Sequence, residues 1–505
     1  MKKIILFVCC ILNITVYAQQ WEWAKTVDIN LPINLNGEVR LATDKVGNFY
    51  LSYINWDSNS GNPDGATVAK YDFIGNKLWQ KDFTTKMRIK DIASDSFGAL
   101  YIAGDFRDTI LVDNVSLISN GYNDAFLAKF NSSGNLQWIK KSGGLYNDSG
   151  SGLCLDTKGN IYMTGEHSDG NWNYGNVSNM TVSKFDSSGN LLLFKSSNTP
   201  LQSFHGFARG EKIKLDNFGN ILVLGSFSFL MQIDTLSLND GSIYGAQFIC
   251  KLDTAGQIKW LKQTASSSSE LNDFILGDDN TIFATGERQW TNGSWTITKR
   301  LDIFGNSLWN QGCGLHCGYY SDGTLNGIAN DSTNIIVYGD GSCHGLLLVK
   351  YAFDGSLVYL DTIHAINYIK GKSIVRDLNG KYLISGFIQG AIKLGSDSIY
   401  SSTNKIFIAK FSDNASITSI KNQGQIFELL KVFPNPSSGV FTVDMYNHLE
   451  ATTIVVRDVL GNCLFEKNCR NEASPTISLS NLTKGIYFIE IVSEEIRSVN
   501  KIVVQ

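Results

Sequence analysis

The densest set of metal-capable side chains is Cys313-Gly314-Leu315-His316-Cys317, followed by Cys343-His344. Thiolates and imidazoles at this spacing can converge on a tetrahedral zinc ion. The plainer chemistry is a disulfide from Cys343 to Cys313 or Cys317, which needs only two thiols in an oxidising compartment. Of the nine cysteines, Cys9 and Cys10 fall in an N-terminal apolar stretch, and Cys154 and Cys250 sit in strand-like runs and are expected to be buried. Cys463 and Cys469 flank Leu464 to Asn468 and are a candidate pair across a hairpin. The disulfide reading is carried forward, and no metal or cofactor is assigned.

Hydrolytic chemistry has less to work with. The six histidines (His167, His205, His316, His344, His364 and His448) belong to no nucleophile elbow, metalloprotease helix or phosphate-binding loop. Glycoside hydrolysis needs two carboxylates facing each other across a pocket. Glu166, Glu287 and Asp340 are loop carboxylates able to do so, but nothing separates them from the other acids, and no catalytic residue is assigned. Aromatic side chains are more suggestive. Trp56, Trp172, Tyr174 and Trp290 stand outside the repeat that organises the chain, and exposed aromatics on one face suit a glycan or a peptide partner. Packing within their own loops is the alternative.

The repeat is built on stretches such as Asp156-Thr157-Lys158-Gly159-Asn160-Ile161-Tyr162-Met163-Thr164-Gly165, a turn, a β-prone run and a closing glycine. Variants begin at Asp44, Asp95, Asp216, Asp278, Asp331 and Asp377, and the closing position falls at 53, 104, 165, 225, 286, 339 and 386. A second motif alternates with the first. It is a strand ending in Lys70, Lys129, Lys184, Lys251, Arg300, Lys350 or Lys410, then an Asp-rich turn, then usually an aromatic strand, as at Trp79, Trp138, Trp260 and Trp309. Both motifs count to seven. Two hairpins per period of ~40–50 residues mark a propeller blade rather than a helical solenoid. A calcium loop wants several oxygen donors close together, whereas Asp156 is followed by Lys158, so the repeated Asp is read as a turn stabiliser. The repeated cations could bind an anion; covering an apolar neighbour or pairing with the turn Asp is the simpler role. The repeated tryptophans are read as packing between blades.

Gln20-Trp21-Glu22-Trp23-Ala24-Lys25 resembles the last strand of a repeat, and the seventh repeat lacks that strand. The N-terminal segment is therefore expected to complete it beside Lys410 and close a ring. Three long excursions, Asp105 to Asp124, Ser226 to Gln247 and Phe387 to Lys405, are each expected to form an added hairpin on a face that carries binding. Met1 to Ala18, with Lys2, Lys3 and the apolar run Ile4 to Leu12, reads as a secretory signal peptide too short to span a membrane. No later stretch approaches the ~18 apolar residues of a membrane helix. With 47 Gly, 11% aromatic residues and a net charge of -4, the composition suits a secreted β protein and gives no footprint for nucleic acid.

Over about residues 21 to 415 the organisation resembles bacterial β-propeller repeats built on D-x-x-G-N-x-Y-x-x-G and A-K-[FY]-D-x-x-G-N-x-x-W. That resemblance implies a scaffold and is silent on activity. After Ser416 both motifs stop. Val432-Phe433-Pro434-Asn435-Pro436, Val455-Val456-Arg457-Asp458-Val459-Leu460-Gly461-Asn462, Leu482-Thr483-Lys484-Gly485-Ile486-Tyr487 and Lys501-Ile502-Val503-Val504-Gln505 follow, short strands between turns that suggest a small sandwich. This set resembles the type A C-terminal sorting domain of the type IX secretion system of Bacteroidetes. The resemblance implies that system's machinery as a partner and export through the outer membrane, with release or attachment to surface lipopolysaccharide.

The expectation is an all-β chain: signal peptide 1–18, seven-bladed β-propeller 19–417, linker 418–430 and an immunoglobulin-like sorting domain 431–505. The expected function is non-catalytic binding or adhesion outside the cell, through a glycan or protein ligand. A propeller enzyme acting on extracellular polysaccharide is the alternative.

Overall fold

The computed structural model describes residues 19–27, 37–56, 63–83, 86–168, 177–199, 206–241, 245–265, 269–290, 293–312, 324–341, 345–413, 430–445, 452–458, 463–469, 475–479, 482–493 and 497–505. It separates into compact units Tyr17–Ser416 and Ile417–Gln505.

The ten-residue motif folds as its residue types dictate. Asp156 Oδ1 accepts N–H bonds from Lys158 and Asn160 (2.9 Å each), and Oδ2 accepts from Asn160 Nδ2 at 2.7 Å. Gly159 supplies φ = +82°, which a side chain would strain. The carboxylate is consumed by its own turn. Asp44, Asp72, Asp186, Asp216 and Asp302 cap theirs in the same way.

Such turns join antiparallel strands into four-stranded sheets. Unit 1 is Val39–Thr43, Phe49–Trp56, Pro63–Tyr71 and Lys77–Phe83; unit 2 is Met87–Ser94, Leu100–Val112, Val115–Phe130 and Leu136–Ser142. Unit 3 is Asp148–Leu155, Ile161–Ser168, Ser178–Phe185 and Leu191–Ser196; unit 4 is Ala208–Leu215, Ile221–Phe227, Ala246–Leu252 and Ile258–Ala265. Unit 5 is Ser269–Leu276, Ile282–Trp290, Gly293–Leu301 and Ser307–Gln311. A seven-stranded sheet follows, in which the strand Leu357–Arg376 serves twice. Its first part, to His364, pairs with Gly345–Ala352 and ends unit 6, which begins with Thr324–Asn330 and Asn334–Gly341. From Ala365 it pairs with Tyr382–Leu394 and begins unit 7.

Unit 7 continues with Asp397–Ser412 and ends with the N-terminal strand Gln20–Val27, where Trp23 lies opposite Lys410 and Ala24 opposite Ala409. The strand missing at one end of the chain is supplied by the other. These four-stranded antiparallel units are consistent with propeller blades. Their first strands touch in succession from unit 1 to unit 7, and that of unit 7 touches that of unit 1. First strands are therefore innermost.

One device clasps neighbouring units. Trp79 Nε1 donates to Ser132 O (3.0 Å), Trp138 to Ser187 O (3.2 Å), Trp260 to Ile303 O (3.1 Å) and Trp309 to Phe353 O (3.0 Å), each carbonyl standing in a turn of the next unit. Trp23 lies against Gly75 of unit 1, where a Cβ would stand 3.1 Å from its ring, and stacks on Phe49 at 5.9 Å. The joint between units 7 and 1 keeps the ring-on-turn packing but not the indole bond: Trp23 Nε1 has no acceptor, and Lys25 Nζ donates to Ile74 O (2.8 Å) instead. The repeated cations pair with turn carboxylates of their own unit, Lys70 with Asp44 (3.3 Å), Lys251 with Asp216 (2.8 Å), Arg300 with Asp279 (2.6 Å), Lys350 with Asp331 (3.2 Å) and Lys410 with Asp377 (2.8 Å), and Lys70, Lys129, Arg300 and Lys410 also donate to a turn carbonyl of the next unit.

In the unit Ile417–Gln505, a sheet of Leu430–Phe433, Val440–Met445 and Thr476–Ser478 and a sheet of Cys463–Cys469, Thr452–Arg457, Gly485–Ser493 and Arg497–Val504 share one core. Phe441, Val443 and Ile477 of the first meet Ile454, Val456, Ile489 and Ile502 of the second. The expected Cys463–Cys469 disulfide is wrong. Both residues lie on one strand, Cys463 opposite Arg457 and Cys469 opposite Thr452, and are not bonded to each other. Six steps of about 3.3 Å put the Cα atoms ~20 Å apart, far beyond the roughly 4.4–6.8 Å that a disulfide spans.

Candidate binding site

Six of the seven innermost strands carry a one-residue bulge at the same place. Register shifts fall between Ile89 and Asp91, Gly150 and Gly152, Gly210 and Lys212, Leu271 and Asp273, Leu325 and Gly327, and Gly371 and Ser373. The extra residues are Lys90, Ser151, Glu211, Asn272, Asn326 and Lys372, all polar. Their cause stands across the strand pair. The bulged strand pushes the carbonyl of Arg88, Ser149, Arg209, Glu270, Thr324 or Lys370 to 1.7–2.1 Å from where a Cβ would sit on Gly104, Gly165, Gly225, Gly286, Gly339 or Gly386. Only glycine fits at the closing position. Unit 1 departs in both respects: its closing residue is Tyr53, and its register from Val39 opposite Tyr53 to Thr43 opposite Phe49 is unbroken.

A bulge leaves its extra residue unpaired and re-aims side chains, and at the innermost strands it does so around the axis. Electrostatic neighbours show the convergence. Lys212 of unit 4 is within reach of Arg40 and Glu38 of unit 1, Asp91 of unit 2 and Asp273 of unit 5. Lys372 of unit 7 is within reach of Asp340 of unit 6 and Arg40 and Glu38 of unit 1. Lys90, Glu211, Asp340 and Lys372 are half-buried, enclosed by neighbours yet still wetted.

Charged side chains of both signs ring this mouth. Units 7, 1 and 2 contribute Lys370, Lys372, Arg40, Arg88 and Lys90. Arg40 pairs with Glu38 at 2.9 Å, and the buried Asp105 is shared by Arg88 (2.6 Å) and Lys90 (3.2 Å), which leaves this side positive. Units 4 to 6 contribute Glu211, Glu270, Glu287 and Asp340, with the cations Arg209 and Lys212 among them. Glu270 and Glu287 stand directly opposite each other, a like-charge placement that destabilises a strand pair by up to about 1 kcal/mol. The equivalent pairs elsewhere are Arg88/Asp105, Ser149/Glu166, Arg209/Ser226, Thr324/Asp340 and Lys370/Phe387. Unit 5 alone of these sets like against like.

Titration follows from this arrangement. Burial pushes the Asp340 carboxyl up to about 6, with Lys372 and Lys370 opposing and Glu287 adding. Burial raises Glu270, with Glu287 adding and Arg209 opposing, and raises Glu211, with Ser226 and Arg209 opposing and Glu270 adding. On the other side burial depresses Lys372, with Asp340 opposing and Lys370 and Arg40 adding. Thr324 Oγ1 donates to Glu287 Oε2 (2.5 Å), Gly371 N to Asp340 Oδ1 (2.7 Å) and Ser226 Oγ to Glu211 Oε1 (2.6 Å). The result is a recessed rim in which Asp340, Glu270, Glu211 and Lys372 are each shifted toward their neutral forms by burial.

Of the acids weighed from the sequence, Glu287 and Asp340 belong to this mouth, and Glu166 stands opposite Ser149 on unit 3. Glu211 and Glu270 were not legible because they lie in first strands, outside both motifs. Asp105 was: it follows Gly104 as Glu166, Glu287 and Asp340 follow their own closing glycines. Trp56 and Trp290 end the second strands of units 1 and 5, paired with Pro63 and Gly293 at the carboxylate end of those strands. Trp172, Tyr174, Cys313, Cys317 and Cys343 lie outside the described residues. Among the described residues no three His, Cys, Asp or Glu side chains are placed to hold a metal ion.

The three excursions do form hairpins, Thr109 to Ile118, Leu230 to Asn239 and Gly390 to Ser401. They also act as wedges. Each buries one face, Ile110 and Val112, Met231 and Ile233, or Ile392 and Leu394, in a core shared with the preceding unit. Asp113 and Asp234 at two tips pair with Lys81 and Lys195 of that unit.

Residues 431–505 match the family model of the secretion system C-terminal sorting domain. The chain ends in a type IX sorting domain. Domains of this kind take a protein across the outer membrane by way of the type IX machinery, often to attachment at the cell surface. No match is found among curated proteins. Among solved structures, the polysaccharide lyase Uly1 is similar with a TM-score of 0.44 and 9% identity, over 73% of this chain and 88% of that one. YCF48 bound to D1 peptide gives 0.41 and 10%, over 81% and 99%. Penicillium chrysogenum alpha-L-arabinanase gives 0.39 and 10%, over 79% and 98%. A lyase, a peptide complex and an arabinanase share no activity, so none passes from them to this chain.

Proposed function

We propose that this exported chain is a seven-bladed propeller that binds a glycan or protein ligand at its axial mouth, outside the cell and without catalysis. Two motifs each recur seven times, and the division of the long strand at His364/Ala365 fits the same count. The observation that carries the binding reading is the bulged tier. Six polar side chains and six obligate glycines are spent on the axis, and a plain scaffold has no need of them. Screening the full-length protein on a glycan array beside a panel of polysaccharide substrates tests this. Saturable binding without turnover, weakened by Lys372→Gln or Asp340→Asn, supports it.

One observation favours a second reading, an enzyme acting on polysaccharide. Glu270 and Glu287 face each other across adjacent strands, and retaining glycosidases set their two carboxyls about 5–5.5 Å apart. Turnover of any polysaccharide that disappears in Glu270→Gln and in Glu287→Gln would replace the binding reading with this one.

A further inference from the structure

The wedge hairpins define what the outer rim needs. On the outermost strand of a unit two positions receive the wedge, the first residue and the one after the clasp position. In units 2 and 4 these are Leu136 with Ile139 and Ile258 with Leu261, which share cores with the hairpins. Units 1 and 5 have no wedge, and carry the polar Lys77 with Gln80 and Ser307 with Asn310 at the same register. Unit 3 has neither solution. Leu191 opposite Phe185 and Phe194 opposite Ser183 are the equivalents of Leu136 opposite Phe130 and Ile139 opposite Ala128. Leu191 is 55% exposed and Phe194 50%, against 8% for Ile139 and for Leu261. The connection that would supply a wedge runs from Asp169 to Val177, whereas those of units 2 and 4 run from Asp108 to Tyr122 and from Ser228 to Gly245. An outermost strand that shows leucine and phenylalanine to water invites a partner.

A charge is bare at the same joint. Asp113 and Asp234 each hold a lysine of the preceding unit, Lys81 or Lys195, and the first N–H of their own outermost strand, Leu136 N at 3.0 Å or Ile258 N at 3.5 Å. Lys140 of unit 2 stands at the register of those lysines, opposite Leu127 as Lys81 is opposite Val68 and Lys195 opposite Val182. Among the described residues it makes no ion pair, and it lies exposed along Gly189 of unit 3, where a Cβ would be 3.2 Å from its Cε. Of the joints without a wedge, this one alone sets two apolar positions beside a lysine: at the entry to unit 6, Leu357 and Leu360 follow Gln311 instead.

We propose that the joint between units 2 and 3 is a docking site for a β-hairpin of a partner protein, with aliphatic residues at alternate positions of one strand and a carboxylate at the tip. The wedges this chain builds for itself show the fit: Ile110 and Val112, or Met231 and Ile233, give the apolar face, and the tip acid joins Lys140 to the Leu191 N–H.

A head-to-tail cyclised peptide carrying Thr109 to Ile118, its hairpin verified by NMR, is the probe, titrated into the full-length protein by fluorescence anisotropy. Saturable one-to-one binding is expected, weakened at least tenfold by Phe194→Gln and by Lys140→Gln. Asp113→Asn in the peptide should weaken binding to the parent by the same factor as Lys140→Gln and add nothing to that variant, a coupling that nonspecific apolar adhesion does not produce. Both positions are exposed, so both variants should melt as the parent does. Leu308→Gln, which changes a leucine 53% exposed on unit 5, should bind the peptide as the parent does. No saturable binding of the folded probe, or binding indifferent to Phe194→Gln and Lys140→Gln, overturns the proposal. So does a parent that sediments as a dimer and becomes monomeric in Phe194→Gln, since the face then belongs to a second copy of this chain.

Discussion

Substituting Gly165 by alanine tests the link between closing glycine and axial bulge most sharply. A Cβ there would lie 1.7 Å from Ser149 O and 2.8 Å from its carbonyl carbon. Ordinary contact begins near 3.5 Å, so the Ser149–Gly150 backbone must retreat by about 1.5 Å or more. That backbone is the innermost strand of unit 3, hemmed by units 2 and 4, and Gly152 is already within 2.8 Å of Glu211 O if given a Cβ. The strand has nowhere to go without losing its bulge. A cost of ~4 kcal/mol or more is expected, in the range reserved for backbone or core disruption. With ~2.1 cal/mol/K per residue over the roughly 400 residues of Tyr17–Ser416, that lowers the midpoint by about 5 °C in calorimetry. Two glycines serve as controls. Gly159→Ala meets nothing closer than 3.8 Å but sits at φ = +82°, so it should cost ~1–2 kcal/mol. Gly144→Ala has its nearest neighbour at 3.5 Å and no positive φ, and should stay within about 0.5 kcal/mol. If Gly165→Ala costs no more than Gly159→Ala, the account of the closing glycine is wrong.

Trp23→Ala removes the ring that lies on Gly75 and Phe49 and should cost toward the low end of ~3–5 kcal/mol, since the side chain is half-buried; a midpoint no lower than that of Leu191→Ala, an exposed position, would count against ring closure as described. Lys410→Met strands the buried Asp377 carboxylate without its 2.8 Å partner and should cost ~3–5 kcal/mol, much of it recovered when Asp377→Asn is added in a double-variant denaturation series. Asp340→Asn should change the pH profile of stability. The folded carboxyl is raised from 3.8 to about 6, so its contribution is fully present below pH ~4 and lost as pH rises through about 6; the variant should exceed the parent by at most ~3 kcal/mol at pH 7.5 and match it at pH 4, and a pH-independent difference would contradict that sign. Deleting residues 431–505, the sorting domain, should leave the protein in the periplasm on cell fractionation, and surface delivery of the truncated chain would refute its role.

The strand exchange between Trp23 and Lys410 was legible because a surplus at one end matched a deficit at the other, and both carried a countable motif. Hairpins were legible for the same reason, but their wedge role was not: that Ile110 and Met231 pack on the preceding unit is a tertiary fact with no local pattern. The closing glycine was visible as a position and opaque as a cause. Its clue was Tyr53, the one closing residue with a side chain, which belongs to the one innermost strand without a bulge. The mouth was half visible. Second-strand acids stand at a fixed offset from a motif, whereas Glu211 and Glu270 come from strands whose sequence is set by the unlike neighbours each meets at the axis. Cys463 and Cys469 misled because an expected turn was in fact the run Leu464 to Asn468 of a continuous strand.

Ala24 N donates to Asp397 Oδ2 across a separation of 373 residues. At ~5–20 residues per second of synthesis, the first-made strand waits roughly 20 to 75 s for the segment that will hold it. During that interval units 1 to 6 can form their own sheets, but the N-terminal strand has no partner because the rest of unit 7 is not yet made, and the joints next to the gap are incomplete. Completion is an event that belongs to the finished chain. The N-terminal strand can dock only once Asp397–Ser412 has been made, so the first segment of the ring to be synthesised is held by the last.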